Sequence, residues 1–259
     1  MKMPDEMMMG QGLRGRLIPS VRGAWDYFRA PTLMMPQGLF WSEVDLTDVS
    51  FWQGQIDFEA MKRSGIRGVF IRAGQNLWVD KRFEENWSAS KSVLPRGSYW
   101  FFDSRAEPQK QADLYFSLVK KERGELPMVV DYEENYRGKW GGWKNLYNFI
   151  ERLRTNGIPS KHIWIYTGYW YWMVNSPIKP EQLNYFRQFK LWLASYTTNP
   201  KRVRIPRPWK DEDVKLWQWG TPVEGIERGT QSKEIDMNKW MGSEDEYHSF
   251  LKELKNGYA

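Results

Sequence analysis

The 259-residue chain has no cysteine and only two histidines, His162 and His248, far apart in sequence. Without cysteine there is no disulfide, no thiolate metal site and no thiol nucleophile. Two distant histidines give no basis for a His-rich zinc site or a Ser-His-Asp hydrolase. No apolar run reaches the roughly 18 residues that a membrane-spanning helix needs, and residues 1–10 lack the apolar centre of a signal peptide. Acid–base chemistry in this chain is therefore expected to rest on carboxylates, with no metal or organic cofactor.

Aromatic residues are abundant, with 16 Trp, 13 Tyr and 13 Phe. Most are expected in the core, while some can form the flat walls on which sugar rings or bases stack. The net charge of +6 favours an anionic partner, whether nucleic acid, anionic lipid or an acidic envelope polymer. Much of the excess lies in the proline-containing segment 201–210, which reads as an extended, solvated loop. Nucleic acid ranks last among the partners because no nucleic-acid motif accompanies the charge.

Residues 1–40 are Met-rich at the start, carry scattered arginines and are broken by Pro19, Pro31 and Pro36. They read as an extension or attachment arm, with 41–259 as the catalytic domain. From residue 43 onward strand-like and helix-like segments alternate, the pattern of a parallel α/β fold. Strands are expected over 44–49, 68–73, 97–102, 128–132, 163–167, 191–195, 214–219 and 234–237. Helices fit over 58–64, 82–92, 108–121 and 143–155, with a weaker one over 180–189 and a terminal one over 244–254 packed on the outside. The expected architecture is a TIM-like barrel with about five β/α units and three closing strands.

The segment Met128-Val-Val-Asp131-Tyr-Glu133-Glu134 ends an apolar run in two carboxylates spaced i, i+2. Residues two apart on a strand share a face, so Asp131 and Glu133 should point the same way. Barrel active sites lie at the carboxyl ends of the strands. Asp48 is read as ending the first strand and Asp236 the eighth, so four carboxyl groups should crowd one mouth. Repulsion and burial there raise carboxyl pKa values from about 4.3 for an ordinary glutamate toward neutrality, the state a general acid needs. Trp52 reads as core and Glu134 as solvated, facing away from Glu133. Gly141-Gly142 is too isolated a signal for a phosphate loop.

Asp48-Val-Ser-Phe-Trp52-Gln53-Gly54 with Ile56-Asp57-Phe58 resembles the opening motif of glycoside hydrolase family 25, the Chalaropsis-type lysozymes of bacteria, fungi and phages. Further blocks follow in the family's order: 96–101, 130–133, 165–167, 191–196, 217–219 and 235–238. The resemblance covers roughly 43–241. It implies a flattened barrel and an N-acetylmuramidase that cleaves the β-1,4 bond between N-acetylmuramic acid and N-acetylglucosamine in peptidoglycan. Carried over, Glu133 is the general acid, Asp131 supports the reacting sugar, and Asp48 and Asp236 shape the field of the groove.

Two carboxylates on one strand start roughly 7 Å apart and approach from one side. That geometry suits attack by the sugar's own 2-acetamido oxygen, although an inverting route through water stays open. Tyr99, Trp100, Tyr166, Trp192, Tyr196 and Gln218 are candidate substrate contacts, with core packing equally open for Tyr166, Trp192, Tyr196 and Gln218. Trp100 stands where the family often has His, which either adds stacking area or changes polarity beside Glu133. The expected partner is the peptidoglycan glycan strand, with phage virion proteins as a further partner of residues 1–40. The expected route is cytoplasmic synthesis followed by release to the wall on lysis, or carriage on a virion. The competing expectation is a particle or envelope component that keeps the lysozyme fold as a binding or structural module.

Overall fold

The computed structural model describes residues 43–134 and 136–256; the arm anticipated over 1–40 lies outside them. Nine strands form one sheet among the described residues: β1 Asp45–Val49, β2 Ile66–Gln75, β3 Trp78–Val79, β4 Arg96–Phe101, β5 Met128–Asp131, β6 Ile163–Gly168, β7 Lys190–Ala194, β8 Val214–Gly220 and β9 Asp236–Trp240. Their order is β1-β9-β8-β7-β6-β5-β4-β2-β3, and β1 also pairs with β2. Eight strands thus close into a barrel. The short β3, absent from the sequence expectation, folds back antiparallel on the end of β2.

Six helices lie in the connections: α1 Phe58–Arg63, α2 Phe83–Ser90, α3 Pro108–Val119, α4 Trp143–Thr155, α5 Tyr169–Asn175 and α6 Pro180–Tyr185. Three of them start at local signals. Asp57 caps α1 by accepting the Ala60 N–H at 2.8 Å, and prolines open α3 and α6, where a missing N–H costs nothing. The five β/α crossovers occupy β1 to β7, and β7, β8 and β9 follow with no α-helix between them, only two short 3-10 turns before β8.

β7 and β8 still pair in parallel, whereas β9 runs antiparallel to both its neighbours. This corrects the placement of Asp236. It begins β9 rather than ending a parallel strand, and it reaches the mouth because β9 enters the barrel from that rim.

Residues alternate between two apolar layers. Leu46, Phe70, Val129, Trp164, Trp192 and Leu216 fill the barrel, while Val69, Ile71, Val130, Ile165, Leu191 and Leu193 face the helices. The terminal helix α7, Glu244–Asn256, does not pack against the outer wall as expected. Its Tyr247, Phe250 and Leu251 join the inner cluster, and the Tyr247 hydroxyl donates to Arg67 O at 2.9 Å near the start of β2. It therefore seals the end opposite the mouth.

Helix α5 was not anticipated, because Tyr169-Trp-Tyr-Trp-Met-Val-Asn has no polar face and is rich in β-formers. Tertiary contact overrides that preference. Trp172 is fully buried, its ring packs on Tyr132, Phe186 and Trp209, and its indole N–H donates to Arg207 O at 2.6 Å. The basic segment is solvated as expected at Lys201, Arg202, Arg204, Arg207 and Lys210, while Pro206 and Trp209 are buried beneath it. Trp172→Ala should cost about 3–5 kcal/mol, and Trp172→Phe, which strands the Arg207 carbonyl, about 1–3 kcal/mol. Urea unfolding of the two variants checks the order.

Candidate active site

The alternation that builds the core also builds the site. On the inward face, six strands exchange apolar for polar side chains toward their carboxyl ends, giving Asp48 on β1, Arg72 on β2, Tyr99 on β4, Asp131 on β5, Tyr166 on β6 and Gln218 on β8. Glu133, Tyr196, Trp192 and Asp236 line the same mouth. All four anticipated carboxyl groups are therefore together, as are five of the six anticipated substrate contacts.

Trp100 is the exception. Being next to Tyr99 on β4, it points to the opposite face. It is fully buried under α3, stacked on Tyr115, with its indole N–H on Gln111 Oε1 at 3.2 Å. It neither offers stacking area to a ligand nor sets polarity beside Glu133.

Two further expectations are reversed. Trp52 is 58% exposed and lines the mouth instead of the core. It rides on the 3-10 turn Phe51–Gln53, which Ser50 caps and Gln53 closes through its Oε1, 2.8 Å from the Ser50 N–H. Glu134 is buried rather than solvated, because its carboxylate accepts the Ser104 N–H at 3.2 Å and the Tyr136 N–H at 2.5 Å.

Asp48 sits at the centre of a hydrogen-bond network. Its Oδ2 accepts Gln218 Nε2 at 3.0 Å and Asn238 Nδ2 at 2.8 Å. Gln218 Oε1 accepts the hydroxyls of Tyr166 at 2.7 Å and Tyr196 at 2.9 Å, and Asn238 Oδ1 accepts the Trp192 indole N–H at 2.6 Å. Each amide is thereby fixed in orientation, with its NH2 aimed at Asp48. Tyr166 and Trp192 are buried and pack in the core, Tyr196 is exposed, and the polar ends of all three hold Gln218 and Asn238 in place.

Asp48 and Asp236 face each other directly across β1 and β9. Burial first, then the Asp236 charge, raises Asp48 to about 8 against the pull of its two amide donors. Asp236 is also raised by burial, partly offset by the Thr221 hydroxyl, which donates to Oδ1 at 2.6 Å.

Burial and the Asp236 charge bring Glu133 to about 7, with the Tyr166 hydroxyl opposing the rise. Asp131 is pushed well up by burial, then by Glu133 and Asp48, while Arg72 pulls it back. Asp131 Oδ1 is buried without a hydrogen-bond partner among the described residues.

The sequence reading missed Arg72 and Asn238 as site residues. Arg72 is the one cation among the described residues lining the mouth. Its Nε donates to buried Asp80 at 2.8 Å, its guanidinium lies 4.9 Å from the Phe51 ring centre, and Asp80 also accepts the Phe51 N–H at 3.1 Å. The signal available was a lone arginine at the end of an apolar strand, where a charge needs a partner. His162 precedes β6 at the far end of the barrel and His248 lies on α7, so neither reaches the mouth. Among the described residues no group of His, Asp and Glu side chains is disposed to hold a metal ion, and no helix is long and apolar enough to cross a membrane.

The model of glycosyl hydrolases family 25 matches residues 47–224. The chain belongs to that family. It is 29% identical over 220 residues to Lysozyme M1 of Streptomyces globisporus, spanning 78% of this chain and 69% of that one. With the autolytic lysozyme of Clostridium acetobutylicum it shares 22% identity over 158 residues, 60% of this chain but only 46% of the clostridial protein. In fold it is similar to the lysozyme of Streptomyces coelicolor, with TM-score 0.65, 23% identity and coverage of 82% of this chain and 98% of the other. The muramidase of Trichobolus zukalii gives TM-score 0.63, 24% identity and coverage of 81% and 99%.

This family 25 glycoside hydrolase stores a pH dependence in its mouth. A carboxyl raised on folding binds its proton more tightly in the native state, so stability falls as pH rises from the unfolded value near 4 to the folded value. For Glu133 and Asp48 that window ends at about 7 and about 8. The melting temperature should therefore decline between pH 5 and pH 8. Asp48→Asn, which removes one raised carboxyl, should flatten the decline in a calorimetric pH series.

Proposed function

We propose that the protein is a peptidoglycan hydrolase of the N-acetylmuramidase type, with Glu133 as general acid and Asp131 as the group that orients the substrate. The observation that carries this reading is Glu133, a carboxyl raised toward neutrality by burial in a mouth it shares with Asp131, Asp48 and Asp236. Glu133 is raised to about 7 and holds its proton at the pH where a glycosidic oxygen must receive one. Asp131 lines the same mouth, and its carboxyl is the group proposed to accept the N–H of a 2-acetamido group.

With the acetamido group so held, its oxygen bonds to the anomeric carbon as the glycosidic C–O bond breaks, and the Glu133 proton passes to the leaving oxygen. The Glu133 carboxylate then takes a proton from water as that water opens the cyclic intermediate, which restores the acid. Asp131 ends β5 and Glu133 follows it by two residues, so both carboxyls approach from one side of the mouth and Asp131 is poorly placed for the direct nucleophilic attack that flanking carboxylates perform. The Asp236 charge helps raise the acid, and Arg72 pulls Asp131 back against its rise. Exposed Trp52 supplies an apolar wall for a sugar ring.

Reducing-end release from purified peptidoglycan tests the assignment. Glu133→Gln should lower kcat by about 10² to 10⁴ and abolish the alkaline limb near pH 7. Unchanged release would remove Glu133 from its role, and binding to walls without release by the wild type would favour a binding module. NMR of the first-formed anomer should show retention; inversion would replace the acetamido step with direct attack by water. Trp52→Ala should raise KM several-fold while kcat changes little.

A further inference from the structure

We propose that Glu134 is a positioning residue, whose buried carboxylate clamps the loop that carries the Glu133 acid. The inference rests on the role given to Glu133. Chain regularity ends at Asp131 and does not resume until Trp143 opens α4, so the acid belongs to no strand or helix.

On its amino-terminal side Glu133 is held by the barrel. The Tyr132 N–H donates to Tyr166 O at 2.9 Å, and the Tyr132 carbonyl accepts Thr167 Oγ1 at 2.8 Å. On the other side the sheet offers nothing, and the Glu134 side chain takes its place. One oxygen accepts the Ser104 N–H from the loop after β4, and the other accepts the Tyr136 N–H from the acid's own loop.

Ser104 extends the clamp. Its hydroxyl accepts the Gly138 N–H at 2.8 Å and its carbonyl accepts the Trp140 N–H at 2.9 Å. The approach is close, since a Cβ on Gly138 would lie 2.2 Å from the Ser104 carbonyl oxygen. Both Ser104 and Glu134 are buried. Arg105, the charged neighbour of this pair, is bound to Asp103 and lies 3.7 Å from the Tyr136 ring centre, closing the clamp from outside.

A carboxylate suits this place because it is acceptor-only and faces two N–H donors. A glutamine would turn its own NH2 toward one of them, and an alanine would leave both donors buried and unpaired. Either change frees the backbone on the carboxyl side of Glu133. The acid would then drift from the facing groups Asp48, Asp131, Tyr166, Tyr196 and Asp236, and water would enter.

The test compares wild type, Glu134→Gln, Glu134→Ala and Glu133→Gln on soluble peptidoglycan fragments. Both Glu134 variants should lose kcat by about 10- to 100-fold, the scale of a misplacement near 1 Å, with KM near the wild-type value. The alkaline limb of their rate profile should move to lower pH, because an acid that gains water returns toward its ordinary range. If Glu134→Ala does not fold, the near-isosteric Glu134→Gln decides. A lower melting temperature with unchanged kcat and an unmoved limb would show a merely structural role and overturn the proposal. Activity retained in Glu133→Gln would instead overturn the assignment of the acid; an inactive Glu133→Gln beside fully active Glu134 variants would sink only the clamp.

Discussion

The antiparallel insertion of β9 between β8 and β1 is the constraint on which the site depends. A sheet made only of parallel strands would bring carboxyl ends alone to the mouth. Because β9 enters from that rim, its first residue, Asp236, stands directly opposite Asp48, and Asn238 falls in register with Gln218. Two like charges opposed across a strand pair are destabilising. The arrangement persists because Asp48 receives two amide donors and, below about pH 8, a proton. The same strand thus creates the electrostatic problem and supplies Asn238, one half of its local solution.

Protonation then links the four carboxyls. No one of them titrates alone, since Asp48 feels Asp236 and Glu133, Glu133 feels Asp236, and Asp131 feels Glu133, Asp48 and Asp236. Such a cluster binds protons in steps that belong to the group. Arg72 breaks the symmetry by acting against the rise of Asp131, and the Tyr166 hydroxyl acts against that of Glu133. The barrel's closed wall makes these small differences count, because charge is weakly screened where water is excluded. The family membership identifies the reaction class, and in the proposed reaction this field would let a carboxyl do near neutrality the work for which no histidine reaches the mouth.

Much of this was legible in the chain because strand periodicity is short-range. Asp131 and Glu133 were placed on one face by counting two residues, and Tyr132 between them does pack outward on Phe102 and Trp172. The same count should have separated Tyr99 from Trp100, since neighbours on a strand cannot both face the groove. A motif match led past that rule. Trp52 and α5 were misread for a different reason. Their states are set by remote partners, Asp80 under the Phe51–Gln53 turn and the Arg207 carbonyl above Trp172, and no local pattern announces either. The direction of β9 was equally invisible, because a five-residue strand reads the same in both orientations.

Glu133 and Glu134 show how little of such a site is carried by residue type. They are chemically identical neighbours just past a strand end, and composition gives no reason to rank them. Their difference comes from what their oxygens meet. Glu134 meets two backbone N–H donors, whereas Glu133 meets burial and another acid's charge, the environment that stabilises a carboxylic acid. Exchanging the two environments would exchange the roles. The loop must therefore be held in the one register that gives each glutamate its own surroundings, and the barrel supplies that hold on one side only. On the proposed assignment, the buried Glu134 side chain on the other side is then the means of fixing which glutamate faces the mouth.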